Sequence, residues 1–253
     1  MTKTLAAIIN HNARAYTDQL YESLIPYKRN DYDIMVLDNG TQNSAEVSEY
    51  TTHHSSQNTY YGGALNLIFQ EFLSLPEYDS LIVFNNDIIL HGYEFVRTLR
   101  EEMHEVTSEQ YHWKILSPCV LQPQKNQCWW PTMHNWGCPT IRKVRWADFM
   151  CPLIHRDVVE KIKLFDNDLI FGWGPDIECG RICEENNWNI GVVDRLSVIH
   201  VGAATYDENR SDISSSEYAS RAMSGMVKYF EKIGHTDTLN ELRNWSRNYT
   251  FVS

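Results

Sequence analysis

No stretch of this sequence approaches the roughly 20 consecutive apolar residues that a bilayer-spanning helix needs. The run after the first Met, Leu5 to Ile9, is also far too short for the core of a signal peptide. The expectation is a soluble, cytoplasmic protein, with peripheral association with a membrane left open. Positive charge is scarce: 22 Lys and Arg stand against 33 Asp and Glu, for a net charge of -11. A nucleic-acid surface requires a dense basic patch, so that class of partner is not expected. A nucleotide ligand is still compatible, because a metal ion can supply positive charge locally. There are six cysteines and no Cys-x-x-Cys pair. That leaves no convincing zinc site, and free thiols are expected. Cys179 and Cys183, four residues apart, read as helix packing.

What the sequence does contain is alternation. Thr4 to Ile9, Tyr32 to Leu37 and Ser80 to Phe84 are short apolar runs, while Ala13 to Leu24 and Ala64 to Leu73 carry apolar residues at helical spacing. A short helix over Ser44 to Tyr50 is expected between them. Strands alternating with helices predict βαβ units and a mostly parallel central sheet flanked by helices. In the second half, Glu94 to Val106, Arg156 to Ile162, Pro175 to Asn186 and Ser214 to Ile233 read as helices, the last stopped by Gly234. Lys114 to Leu121, Trp146 to Ile154 and Gly191 to Ile199 read as strands, and Gln122 to Val144 as a long loop. No repeat or low-complexity linker divides the 253 residues, so one domain over 1–253 is expected.

In parallel sheets, ligands bind beyond the carboxyl ends of the strands. Those ends carry Asn10-His11-Asn12, Asp38-Asn39-Gly40 and Asn85-Asn86-Asp87. Burying an unpaired carboxylate is costly, so polar residues that end an apolar run belong at a strand end or in a cleft. Asp87, flanked by Asn85 and Asn86, suits a hard cation such as Mg²⁺ or Mn²⁺. The bland alternative is an Asn-rich turn. His200, after the apolar run to Ile199, is either a hydrogen-bonded turn residue or a metal ligand whose partner would be Asp87.

Two further segments carry chemistry. Gly172-Trp173-Gly174-Pro175-Asp176 sets a carboxylate in a first helical turn. Asp176 there is either a helix-stabilising acid or a proton acceptor, held ionised by the helix dipole. Five of the eight tryptophans (Trp113, Trp129, Trp130, Trp136 and Trp146) fall between residues 113 and 146. They are either core residues or sugar-stacking faces, and Trp129 and Trp130 are the acceptor-binding candidates.

Taken together, these segments resemble glycosyltransferase family 2, above all its rhamnosyltransferase-like members. The likeness covers about Thr4 to Gly202. Ile8-Ile9-Asn10-His11-Asn12 resembles the family's first strand and turn, with His and Ala where Tyr and Arg are common. Val36-Leu37-Asp38-Asn39-Gly40-Thr41 resembles the segment whose Asp contacts the nucleobase. Asn58-Thr59-Tyr60-Tyr61-Gly62-Gly63-Ala64-Leu65-Asn66 resembles the Asn-x-Gly-x-Gly-x-Asn stretch. Asn85-Asn86-Asp87 stands at the Asp-x-Asp metal motif, with Asn for its first Asp. Asp148 to Asp166 resembles the segment before a Gly-x-Phe-Asp turn. Pro175-Asp176-Ile177-Glu178 resembles Glu-Asp-x-Asp, with Pro for the first acid.

The resemblance implies a GT-A fold, an α/β nucleotide-diphospho-sugar transferase fold, and inverting transfer of rhamnose or another hexose to a glycan hydroxyl, as in polysaccharide biosynthesis. Residues 1–110 would bind the nucleotide sugar, 111–205 the acceptor, and 206–253 would form a C-terminal helical segment. Asp176 would be the catalytic base, and Asp87 and His200 would hold Mn²⁺ or Mg²⁺. Asn10, Asn12, Asp38, Asn39, Asn58, Gly62, Gly63, Asn66, Asn85 and Asn86 would line the donor. Trp129, Trp130, Trp173 and Glu178 would face the acceptor. Two rivals stay in view. A sugar-1-phosphate nucleotidylyltransferase would want a Gly-rich basic loop after the first strand, yet Asn10 to Ala15 has no Gly and only Arg14. A carbohydrate-binding protein with a dead site would bind sugars without a metal.

Overall fold

A computed structural model describes residues 2–91, 94–105, 112–121, 130–202 and 213–241. Strand β1 (Lys3–Asn10) has seven of its eight residues buried, so helices cover both of its faces. Helix α1 (Arg14–Leu24) turns Thr17, Leu20 and Leu24 inward and leads to β2 (Tyr32–Asn39). A short edge strand β3 (His53–Ser55) follows, then α2 (Tyr60–Ser74), which buries Leu65, Ile68, Phe69 and Phe72. Truncating a side chain such as Phe69, which is wholly buried, costs about 3–5 kcal/mol. Strands β4 (Tyr78–Asn85) and β5 (Ile88–His91), helix α3 (Phe95–Glu105) and strand β6 (Trp113–Val120) complete the first half of the chain.

The second half adds β7 (Arg142–Val144), β8 (Leu153–His155), α4 (Arg156–Ile162), α5 (Pro175–Glu185), β9 (Asn189–His200) and α6 (Ser215–Lys232). Among the described residues nine strands form one sheet in the order β3-β2-β1-β4-β8-β6-β9-β5, with β7 against β9. The β3-β2-β1-β4 part is parallel. Its register sets Asn10 beside Asp38, Ile9 beside Asn85, and Asp38 beside His54. Three polar chain segments therefore meet at one edge of the sheet.

The sheet is parallel in that half and again where β6 pairs with β9, and antiparallel strands are set among these. β8 runs antiparallel to both β4 and β6, and β5 and β7 run antiparallel to β9. The apolar Trp146 to Ile154 run gives strand only from Leu153, because its earlier residues fill the core as irregular chain. The helix expected over Ser44 to Tyr50 is one 3₁₀ turn, Ser44–Glu46, capped by the Asn43 side chain. Helix α2 starts four residues before Ala64, through Gly62 and Gly63. Helix α6 ends at Lys232, and Gly234 two residues on has a φ of +77° that suits glycine. The expected long loop holds a 3₁₀ turn at Pro131–Met133 and strand β7; residues 122–129 lie outside the described part.

Candidate active site

The polar cluster at the parallel edge begins with Asn10, which is wholly buried. Its Nδ2 donates to Asp38 Oδ1 (3.1 Å) and to the Glu46 carbonyl (3.1 Å), and its Oδ1 accepts from Thr17 Oγ1 (2.8 Å). Asn10 thus holds Asp38 and has little left for a ligand. The other Asp38 oxygen lies 3.6 Å from Nδ1 of the exposed His54. Asn39 is likewise engaged: its Oδ1 accepts from Thr59 N (3.1 Å), and its Nδ2 donates to Asn58 Oδ1 (3.3 Å) and Tyr60 O (3.2 Å). His11 ties these turns together. Its Nε2 faces the amide nitrogens of Asn58 (3.1 Å) and Asn12 (3.3 Å), so it accepts there. Nδ1 then carries the proton and donates to the Asn39 carbonyl at 3.0 Å. Gly40 sits at φ +72°, and a Cβ on it would fall 2.1 Å from the Gln57 backbone. The Asp38-Asn39-Gly40 turn therefore demands glycine.

Three residues expected along the donor serve packing instead. Gly62 donates its N–H to Ile170 O at 2.7 Å, and a Cβ there would fall 2.2 Å from Leu169 O. Gly63 sits against the Thr59 side chain. Asn66 uses both ends of its amide on the Phe165 backbone, at 2.9 and 2.7 Å. Gly62 brings α2 close to the 169–170 turn.

At the end of β4 the chain turns within Asn85-Asn86-Asp87 and enters β5, whose Ile88 pairs with His200 of β9. That pairing brings the His200 Nε2 to 3.3 Å from Asp87 Oδ1, across more than a hundred residues of sequence. Asp87 is buried to 6% exposure, and its carbonyl accepts from Val201 N at 3.0 Å. Asn86 Nδ2 donates to Thr17 Oγ1 (3.1 Å), which in turn donates to Asn10. A hydrogen-bonded chain thus runs from Asn86 to Asp38 beneath the strand ends. Asn85 Oδ1 is buried without a hydrogen-bond partner.

The Asp87 carboxylate and the His200 imidazole suit a divalent cation of the Mn²⁺ or Mg²⁺ type. No group of three His, Cys, Asp or Glu able to hold a metal occurs among the described residues. The residues present fit a cation that takes the rest of its ligands from a diphosphate and water.

Asp176 enters α5 from Gly172 (φ +87°) and Gly174 (φ +100°), with Pro175 at the first helical position. Its side chain is half-buried, and Trp130 Nε1 donates to its Oδ2 at 2.7 Å. Burial first, and the nearby Asp148 carboxylate second, push its pKa up to about 7. The Trp130 bond and the N–H groups of Ile177 and Asp176 oppose that shift and lose. The expectation that the helix terminus keeps this acid ionised is thereby corrected: desolvation and like charge outweigh the dipole.

Trp130 is itself buried, its ring 5.0 Å from that of Trp146, and it serves as a donor to Asp176 rather than as an open sugar face. Trp113 and Trp146 are also core residues, while Trp136 is 60% exposed. Trp129 lies outside the described residues. Trp173 is half-buried against the core. Glu178 is buried, with Arg181 on its two oxygens at 2.6 and 2.8 Å, so it belongs to an internal ion pair and not to an acceptor surface.

Sequence reasoning passed over Asp148 as a site residue. It acts electrostatically on Asp176, on Tyr61 and on Cys151. Tyr61 is held by a hydrogen bond from its hydroxyl to Phe149 O. The signal was a lone acid at the head of the apolar run Phe149 to Ile154. His11, in a polar turn, and His54, in the three-residue polar strand β3, give no such signal.

Comparison with solved structures shows the GT-A fold of glycosyltransferases. GalNAc-T7, solved with UDP, GalNAc and Mn²⁺, superposes at TM-score 0.61 with 13% identity over 79% of this chain. The chain covers 44% of that protein. The mannosyltransferase PcManGT of Pyrobaculum calidifontis, with GDP-Man and Mn²⁺, gives TM-score 0.55 at 9% identity over 88% of this chain and 69% of its own. S. aureus TarS 1-349, with UDP-GlcNAc, gives 0.55 at 12% identity over 91% and 73%. No curated protein matches the sequence. No helix among the described residues is long and apolar enough to cross a membrane. The family model described as "Protein of unknown function (DUF707)" matches residues 80–241, and the chain belongs to that family.

Proposed function

We propose that this chain is a metal-dependent, inverting glycosyltransferase that moves a sugar, rhamnose or another hexose, from a nucleotide-diphosphate donor to a carbohydrate hydroxyl. The observation that carries the reading is the meeting of Asp87 and His200, at 3.3 Å, beyond the carboxyl end of β4. The fold shared with nucleotide-sugar transferases and the raised acid at Asp176 support it. Residues 1–110 take the donor and 111–205 the acceptor. Asp38, fixed by Asn10, receives the base, and His54 stands across from it. Asp87 and His200 would hold Mn²⁺ or Mg²⁺, which would supply charge neutralisation for the diphosphate leaving group.

Asp176 accepts the proton of the acceptor hydroxyl. That oxygen forms its bond to the anomeric carbon as the bond to the diphosphate breaks, which inverts configuration and needs no enzyme nucleophile. A pKa near 7 suits a base at neutral pH, and Trp130 keeps the Oδ2 atom in place. Thermal unfolding with UDP, dTDP or GDP, each with and without Mn²⁺, tests the reading. A nucleotide at 100 times its dissociation constant adds about 2.7 kcal/mol to wild type and, with Mn²⁺, nothing to Asp87→Ala. No Mn²⁺-dependent stabilisation of wild type by any of the three would defeat it.

A further inference from the structure

The loop between Trp130 and β7 is built around one exposed ring. Trp136 is 60% exposed, and its neighbours Asn135, Gly137, Pro139 and Thr140 are exposed too, none of them a large apolar side chain. The guanidinium of Arg142 lies 4.3 Å from the ring centroid. Beneath it, Arg142 and Asp194 form an ion pair at 2.7 Å, with only 9% and 1% of the two side chains exposed. Asp194 Oδ2 also accepts the backbone N–H groups of Trp136 (3.0 Å) and Cys138 (2.9 Å). Arg142 donates to the carbonyls of Thr132 (2.7 Å) and His134 (2.8 Å).

β9 departs from its ladder to supply that clamp. Pro118 pairs with Val193 but Cys119 pairs with Ser197, so Asp194, Arg195 and Leu196 leave the β6 register. A buried ion pair and a strand bulge thus hold a single surface tryptophan rigid, which means little ordering entropy is lost when a ligand meets it.

The place of the loop matters. His134 bridges Val120, the last residue of β6, and Val120 pairs with Val198, two residues from His200. The loop therefore stands at the same end of the sheet as Asp87 and His200. Trp130, which holds Asp176, is six residues from Trp136, a chain distance of at most about 20 Å. One oligosaccharide can span both. A protein partner fits less well, since such interfaces bury about 800 Å² on each side around clustered anchors. Here Trp136 is the single large apolar side chain exposed among the described residues of the loop.

We propose that Trp136 is a sugar-stacking platform, taking the apolar face of a pyranose ring in an oligosaccharide, outside the position of the reacting hydroxyl. Naming that oligosaccharide the acceptor rests on the glycosyltransferase reading; the stacking itself does not.

The test applies wild type, W136A and W136F to an array of neutral hexose, deoxyhexose and N-acetylhexosamine oligosaccharides, with melting temperatures and the Mn²⁺–nucleotide response measured alongside. Wild type and W136F retain at least one oligosaccharide, W136A binds it about tenfold more weakly, and all three share melting temperature and nucleotide response. Equal retention by W136A, or no retention by wild type, overturns the proposal. Trp136-dependent glycan binding without any nucleotide response leaves the platform standing and removes the transferase reading.

Discussion

Replacing Asp176 with Asn separates the proposed catalytic use of this acid from its cost to the fold. In the folded chain the carboxyl has a pKa of about 7, whereas an unfolded Asp titrates near 3.9. The folded pKa is the higher one, so the folded state holds this proton more tightly. The associated stability is fully present below about pH 4 and is lost as pH rises through 7. Three units at about 1.36 kcal/mol each set an upper limit of roughly 4 kcal/mol. Solvent reaches the half-buried side chain, so we take about 1–3 kcal/mol. Asn keeps an oxygen to accept from Trp130 Nε1 and removes the charge facing Asp148. Asp176→Asn should therefore match wild type in urea unfolding near pH 4 and exceed it by about 1–3 kcal/mol at pH 8, because groups that do not interact with Asp176 cancel in the difference and relief of the Asp148 carboxylate acts in the same direction. Over the same range wild-type transfer should climb with pH and level off above about 7, while the variant is slower by about 10²–10⁴-fold. A variant less stable than wild type at pH 8, or one whose stability tracks wild type at every pH, would show that Asp176 carries no raised pKa.

Three other perturbations follow from the same geometry. Trp130→Phe removes the N–H that opposes the raised pKa of Asp176, so the acid limb of the pH–rate profile should move to higher pH; an unmoved limb would mean that the 2.7 Å bond does not tune the acid. Asp38→Ala should weaken nucleotide binding while leaving turnover at saturation nearly intact, and a loss confined to turnover would argue against a base contact. Gly62→Ala forces a Cβ to within 2.2 Å of Leu169 O and should cost about 1–3 kcal/mol in unfolding free energy, with a neutral result showing that the 169–170 turn moves aside freely.

The parts of this fold legible in the sequence are those where burial leaves a one-dimensional trace. β1 and β4 are covered on both faces, so they appear as unbroken apolar runs, and the polar residues that end them mark the strand ends. β3 leaves no such trace. It is three polar residues at a sheet edge, and only pairing with β2 makes it a strand, which is how His54 comes to stand beside Asp38. The tryptophans fail for a related reason. Trp113, Trp130 and Trp146 look the same in sequence as Trp136, yet three are buried and one is exposed, because Asp194 and Arg142 turn the loop at Trp136 outward.

The site itself shows where pattern stops and pairing begins. Asp87 and His200 are each recognisable as a polar residue at the end of an apolar run, but their meeting depends on the antiparallel pairing of β5 with β9. A four-residue strand after a tight turn carries no sequence signal for its partner. The same holds for Asp176. Its helical turn is announced by Gly172, Gly174 and Pro175, and that turn alone predicts a depressed pKa. Burial and a second carboxylate reverse that direction: Asp148 arrives from the chain between β7 and β8, and Trp130, backed by Trp146, reaches the acid from the loop before β7. A local motif thus fixes where this carboxylate sits, while its protonation is decided by residues brought from elsewhere in the chain. The chemistry proposed for Asp176 depends on the second of these, and variants of Trp130 and Asp148 therefore test the function more sharply than changes within the motif.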